Sequence, residues 1–396
     1  MAWFSPVPPS PSGIAAYTAE IVPLLRARGW PIDVFVHRAA GPPLADAHPA
    51  LDYVWRARRT PYDLTVYQLG NASFHDYMWG YLFRYPGLVV LHDAQVQQSR
   101  ALAMTRFVPP TRVAEFVDEF LANHPGASRD LAIVFAEGRG GSLYGWWPHV
   151  RLVIESARTV AVHNARLAAD LAARHPAATI ETIPMGVADP RRAGGPGTGL
   201  RAAEGRAVRE RLGLPAEAFL VAAFGGVTPE KRIASLLEAV SLLPGRVPVH
   251  VALVGAAADH YDVQADIARW RLTGRVHVAG YVPDADLPAW LDAADVCACL
   301  RWPTNRETSA SWLRALAAGR PTLVSGLADL VDVPTLDPYA WRVLSADGDA
   351  TREPVAVTIE ITDERKALGL ALDRLAVDAE LRERLGRAAR AWWAAH

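Results

Sequence analysis

The run Phe224-Gly-Gly-Val-Thr-Pro-Glu-Lys-Arg-Ile233 sets two glycines after an apolar strand and two adjacent cations behind them. Gly225 and Gly226 allow a backbone to come close to a bound group. Lys231 and Arg232 stand where a helix start already favours negative charge. The combination suits a bound diphosphate; the alternative is a solvated helix start. Neither reading names a reaction.

Three more loops hold reactive side chains next to apolar runs. In Ser5-Pro-Val-Pro-Pro-Ser-Pro-Ser-Gly13-Ile14, Gly13 opens a helix, either as an anion-facing turn or as a rigid connection. In Leu91-His92-Asp93, His92 can bind a sugar hydroxyl or act as a base oriented by Asp93, or the pair is structural. Gly70-Asn71 with His75, and His163-Asn164, carry the same two readings. The segment Leu300 to Pro321 presents Glu307 just before Thr308 or Ser309, either of which can cap a helix that Gly319 and Pro321 end. Asp284-Ala-Asp286 and Asp347-Gly-Asp349 match a metal-binding triplet only literally. The chain shows no nucleophile elbow, P-loop or zinc signature.

Positioning these loops requires strands that end together. Short apolar runs at Trp3-Phe4, 32–36, 64–68, 88–91, 159–162 and 179–183 alternate with helical patterns at roughly 14–28 and 74–83. Such alternation predicts a parallel sheet of the Rossmann-like kind. Pro190-Arg-Arg-Ala-Gly-Gly-Pro-Gly-Thr-Gly199 has no apolar period and reads as a flexible linker. After it the pattern restarts, with strands at 219–224, 248–254, 275–279, 295–300 and 321–325 and helices at 232–243, 286–293 and 310–318. A helical stretch from Glu364 to His396 ends in Trp392-Trp393, an apolar pair that needs something to pack on. Open parallel sheets bind ligands at the carboxyl ends of their strands, where all the loops above fall.

A length of 396 residues predicts two domains, and 51% apolar with 21% charged residues fits a soluble globular chain. A net charge of −1 gives no reason to expect nucleic-acid binding. Cys297 and Cys299 alternate on one strand, face the same side and read as buried thiols. No run approaches a membrane span, and the start lacks a secretory pattern. The expected location is the cytoplasm, with any membrane contact peripheral, at the inner face.

Taken in order, these motifs resemble the retaining GT-B glycosyltransferases of family four, bacterial enzymes that use nucleotide sugars. The resemblance is carried by Trp3-Phe-Ser-Pro-Val-Pro-Pro9 with Ser12-Gly-Ile-Ala-Ala-Tyr17, and by Leu69-Gly-Asn71, His75, Pro86-Gly87 and Val90-Leu-His-Asp93. It continues through Pro184-Met-Gly-Val187, Phe224 to Ile233, Gly280-Tyr-Val282 and Leu300 to Pro321. It implies an acceptor domain at 1–188, a linker at 189–207, a donor domain at 208–370 and a C-terminal helix at 371–396. The two Rossmann-like domains would face each other across a cleft, with that helix crossing back onto the first.

The resemblance also implies roles. Lys231 and Arg232 neutralise the leaving diphosphate, Glu307 holds the donor sugar and His92 lines the sugar pocket. Gly13, Gly225, Gly226, Tyr281, Thr308 and Ser309 contact the donor, and Asn71, His75 and Asp93 lie on the acceptor side. The implied activity is that of a hexosyl-type transferase. It moves sugar from a nucleotide diphosphate to a carbohydrate, lipid-linked or small-molecule hydroxyl, with retention and without metal or other cofactor. Cell-surface polysaccharide, glycolipid or natural-product synthesis would be its setting. A non-catalytic nucleotide-sugar-binding homologue or partner subunit, or a sugar-nucleotide epimerase on the same fold, is the alternative. Four positions depart from the family pattern. A second glutamate, expected at 314 or 315, is Arg314 or Ala315. An arginine is replaced by Gly226, the glycine before Glu307 is Arg306, and an acidic residue is replaced by Ala16.

Overall fold

A computed structural model describes residues 1–396 apart from Pro11, Ala39, Pro43, 107–111, 191–197, 328, 329 and 331. The chain forms two compact units. One comprises Met1–Gly186 with Thr304–Thr308, the other Val187–Pro303 with Ser309–His396.

The first unit holds a seven-stranded parallel sheet. Its strands are β1 (Ala2–Phe4), β2 (Asp33–Val36), β3 (His48–Pro49), β4 (Thr65–Leu69), β5 (Leu88–Leu91), β6 (Thr159–Val162) and β7 (Ile180–Thr182). Their order is β3-β2-β1-β4-β5-β6-β7, so the winding reverses between β1 and β4. Both faces are buried, which is why the strands read as apolar runs rather than as alternations. Phe4, Phe35, Tyr67, Leu69, Val89 and Leu91 fill one side, and Trp3, Val34, Val36, Val66 and Val90 the other. Ser12 caps the helix Gly13–Ala27 by accepting the Ile14 N–H at 3.1 Å.

The second unit repeats the plan with β8 (Phe219–Phe224), β9 (Val249–Val254), β10 (Val276–Gly280), β11 (Val296–Cys299), β12 (Thr322–Ser325), β13 (Thr335–Leu336), β14 (Val343–Leu344) and β15 (Ala356–Ile359). The order β10-β9-β8-β11-β12-β15-β13-β14 reverses between β8 and β11, and the β13–β14 pair is antiparallel. Phe219, Val221 and Ala223 face one core, while Leu220, Ala222 and Phe224 face the other. Cys297 is buried in that second core and Cys299 packs against it, on the same side as expected; burial pushes the Cys299 thiol up to about 12.

Some expectations need correction. Of the stretch 189–207 read as linker, 191–197 lie outside the described residues, but Thr198–Arg211 is a helix. Gly205 there lies so close to the Asp292 main chain that a side chain would clash, so the glycine serves helix packing rather than flexibility. Residues 371–396 group with the second unit. Gly386 sits against the Gly319 carbonyl, Trp392 meets Trp312 with ring centroids 5.8 Å apart, and Arg390 forks onto Asp189 at 2.8 and 2.7 Å. The long C-terminal helix also breaks at Asp378, whose side chain caps Ala379–Ala395 through the Leu381 N–H. No helix among the described residues is long and apolar enough to cross a membrane.

A buried ion network ties three segments of the first unit together. Arg100 grips both oxygens of Glu119 at 2.8 and 2.7 Å, bonds Asp76 and stacks on Trp79, while His149 meets Glu119 Oε1 at 3.0 Å. Burial would raise the Glu119 carboxyl, but these partners bring it down to about 2. Its unfolded value is near 4.5, so the stability it contributes is complete above that pH and is lost as pH falls toward 2. Glu119→Gln is expected to cost about 3 kcal/mol at pH 7. It should also flatten the acid limb of stability between pH 4.5 and 2, read from urea midpoints across pH. An unchanged acid limb would refute the assignment.

Candidate functional site

In the second unit the ends of β8, β9 and β10 each carry a glycine with positive φ: Gly225, Gly255 and Gly280. A Cβ on Gly255 would collide with the Gly225 carbonyl, so bare backbone is what lets these two strand ends close up. Gly225 has φ 87°, and the Lys231 ammonium occupies the space its Cβ would take, bonded to the Phe224 carbonyl. A Cβ on Gly226 would make only ordinary contacts with Thr228 and Ala256, and Tyr281, after Gly280, is 71% exposed. The helix Ala310–Ala317 starts beside the same turn. Its cap is Ser309, which accepts the Trp312 N–H at 3.3 Å, and Ser311 borders Gly225. The glycine turn, Lys231 and this helix start therefore meet where the winding reverses, the crevice where such sheets bind ligands.

Arg232 does something different from its neighbour. It adopts the left-handed conformation (φ 56°), and its guanidinium forks onto Glu364 at 2.6 to 3.1 Å. That bond raises its already high pKa. Glu364 is only 6% exposed, so Arg232 supplies the charge that makes its burial tolerable. The adjacent cations, read together in the sequence, thus divide into a turn-facing lysine and an arginine committed to the carboxylate.

Glu307 and Thr308 group with the first unit, not with the donor domain expected for them. The reason lies in two anchors: Asn305 accepts the Ala94 N–H at 2.8 Å, and Arg306 bonds Asp170 at 2.7 Å. Glu307 Oε2 accepts from the Asn305 N–H at 2.8 Å and the Thr304 hydroxyl at 3.1 Å. Arg306 has φ 62°, a left-handed conformation that favours glycine, and its side chain has an ionic partner.

At the carboxyl edge of the first sheet, Asp93 accepts the Asn71 N–H at 2.6 Å, and Asn71 Oδ1 accepts the Ser99 N–H at 3.1 Å. The space above Gly13 is open. His75 is not available to an acceptor: it is buried with Nδ1 on the Gln68 carbonyl at 2.9 Å, and burial lowers it to about 4. His92 is buried too, and both ring nitrogens have partners, Gln68 at 2.6 Å and His163 at 3.1 Å. Any sugar hydroxyl on His92 would have to displace one of them. Gln68 escaped the sequence reading because it sits inside an apolar strand with no motif around it. Trp147 packs on Phe120 and His124, whereas Trp146 is 79% exposed.

Comparison with known proteins places the fold. Residues 218–349 match the family model described as Glycosyl transferases group 1. WaaG, a glycosyltransferase involved in lipopolysaccharide biosynthesis, superposes with TM-score 0.65 at 14% identity, covering 100% of this chain and 95% of that one. The fold is GT-B. Sucrose-phosphate synthase from Thermosynechococcus elongatus gives TM-score 0.63 at 17% identity over 100% and 94% of the two chains. HepE from Anabaena, solved with UDP-glucose, gives 0.62 at 16% over 100% and 94%. In sequence, a 2-deoxystreptamine glucosyltransferase from Streptomyces kanamyceticus is 30% identical over 203 residues. That match spans about half of this chain and half of the relative.

The two cations can be separated by stability. Arg232→Ala strands a buried carboxylate and is expected to cost about 2 to 3 kcal/mol. Lys231→Ala, at a turn, is expected to cost less than about 1 kcal/mol. Urea midpoints of the two variants decide; equal losses would contradict the division of roles.

Proposed function

We propose that the chain is a nucleotide-sugar-dependent glycosyltransferase whose second unit binds the donor diphosphate. The observation that carries this is the convergence of Gly225, Lys231 and the start of the helix Ala310–Ala317 at the winding reversal of the second sheet. A leaving diphosphate there would meet an ammonium and oriented amides, which stabilise charge as it develops. The UDP-glucose complex of HepE supports a nucleoside diphosphate sugar as the donor class. Ala315 is fully buried, so no side chain from that position reaches a ribose. Tyr281 and the backbone at Gly226 are the surfaces left for the nucleoside.

The first unit is proposed to take the acceptor hydroxyl, with Asp93 and Asn71 at its sheet edge. Retention of configuration, with a phosphate oxygen helping to deprotonate the acceptor, is the proposed course. It asks the protein mainly for positioning and charge stabilisation. Because Lys231 and helix amides meet the phosphate charge, chelation by EDTA is expected to leave turnover unchanged.

Isothermal titration with UDP tests the site. Lys231→Ala removes one charge-assisted bond and is expected to weaken UDP about 10- to 100-fold. Tyr281→Ala should weaken it less, and Arg232→Lys less than Lys231→Ala. Unchanged UDP affinity in Lys231→Ala would overturn the assignment.

A further inference from the structure

Three side chains from neighbouring strands form one hydrogen-bonded chain in the first unit. His163, directly after β6, meets the Ile183 carbonyl through Nδ1 at 3.2 Å and His92 Nδ1 through Nε2 at 3.1 Å. His92, directly after β5, meets the side-chain amide of Gln68 on β4 through Nε2 at 2.6 Å. These three strands are consecutive in the sheet, so the chain crosses its carboxyl edge. Tyr17 covers both imidazoles, with ring centroids 5.2 and 5.9 Å away.

The direction of the chain follows from its fixed end. A carbonyl only accepts, so His163 Nδ1 must carry hydrogen. In neutral His163 the other nitrogen is then a lone pair, and His92 donates to it from Nδ1. Neutral His92 presents a lone pair at Nε2, which the NH2 of Gln68 must meet. In the structure the amide stands the other way, with Oε1 facing His92 and the NH2 buried without a partner. That second arrangement is satisfied along the chain only with one more proton. His163 then donates from both nitrogens as imidazolium, and His92 donates from Nε2 to Oε1. An amide exchanges these two arrangements with almost no movement of its heavy-atom positions.

We propose that His163 is a positioning residue that sets the tautomer of His92 and the orientation of the Gln68 amide, and that one proton taken from solvent at His163 reverses all three together. The charge stays on His163; His92 is neutral in both states and only moves its proton from Nδ1 to Nε2. The groups nearest the chain are Tyr17 from the helix Gly13–Ala27 and His75 on the Gln68 carbonyl; the Asp93 carboxylate is turned to the Asn71 N–H. Burial holds both imidazoles below the ordinary value of 6.5, and His92 is lowered further by His163 and His75. Near neutral pH the chain therefore runs from Gln68 toward Ile183, and it turns over on the acid side. The reversal exchanges donor for acceptor near the end of β4, two residues before Gly70-Asn71, where Asp93 is held.

The test is two-bond proton–nitrogen correlation spectroscopy on the full chain labelled at histidine nitrogens, titrated from pH 8 downward with no ligand. At pH 8 both His92 and His163 are expected as Nδ1–H tautomers. On acidification His163 should become imidazolium and His92 should change to Nε2–H at the same midpoint. His163→Gln offers the same donor and acceptor but takes no proton, so His92 should keep Nδ1–H throughout. A His92 tautomer of Nε2–H at pH 8 would overturn the proposal. So would a chain that keeps one direction down to acid unfolding, or a His92 switch that persists in His163→Gln. Should that variant not fold, the wild-type titration decides alone. Because no donor is used, failure here leaves the transferase reading to its own test.

Discussion

Everything at the candidate site depends on strands ending together at one edge of a parallel sheet. In each unit the winding reverses next to the first strand, and loops leaving adjacent strands in opposite directions open a crevice there. In the second unit the crevice is shaped by backbone contact. Gly255 can sit on the Gly225 carbonyl only because neither has a side chain in the way. Lys231 then takes the volume a side chain on Gly225 would fill. A single methyl group at either position would push apart strand ends or displace the ammonium.

Charge is handled differently in the two units. The second unit sets one ammonium at a turn and buries the neighbouring guanidinium's partner, Glu364. The first unit buries Arg100 and Glu119 as an ion pair joined by His149, and burial keeps its edge histidines neutral. Buried polar groups of this kind are costly unless every member is paired. That requirement makes the orientation of Gln68 informative, since it records the proton count of the chain it terminates.

Much of the fold was legible in the sequence because buried parallel strands are continuous apolar runs. Phe219–Phe224, Leu88–Leu91 and Thr159–Val162 fall where the runs do, and Ser309 caps the helix that Gly319 ends. What could not be read depends on contacts distant in sequence. The two-residue strands β3, β13 and β14 are too short to show a period. The helix Thr198–Arg211 has a weak apolar pattern and a glycine used for packing, so it resembled a linker. In the site, Lys231 and Arg232 looked equivalent until Glu364, 132 residues away, claimed the arginine. His75 and His92 looked accessible because strand-end position says nothing about burial. Arg306 holds a left-handed backbone conformation that its residue type does not announce.

The central claim is that the glycine turn of β8, with Lys231 and the helix start at Ser309, holds a nucleoside diphosphate. Amide hydrogen exchange with and without UDP tests it most directly. The account predicts slowed exchange at 225–232 and 309–312 when UDP is saturating. Protection confined to the first unit, or none at these amides, would contradict it.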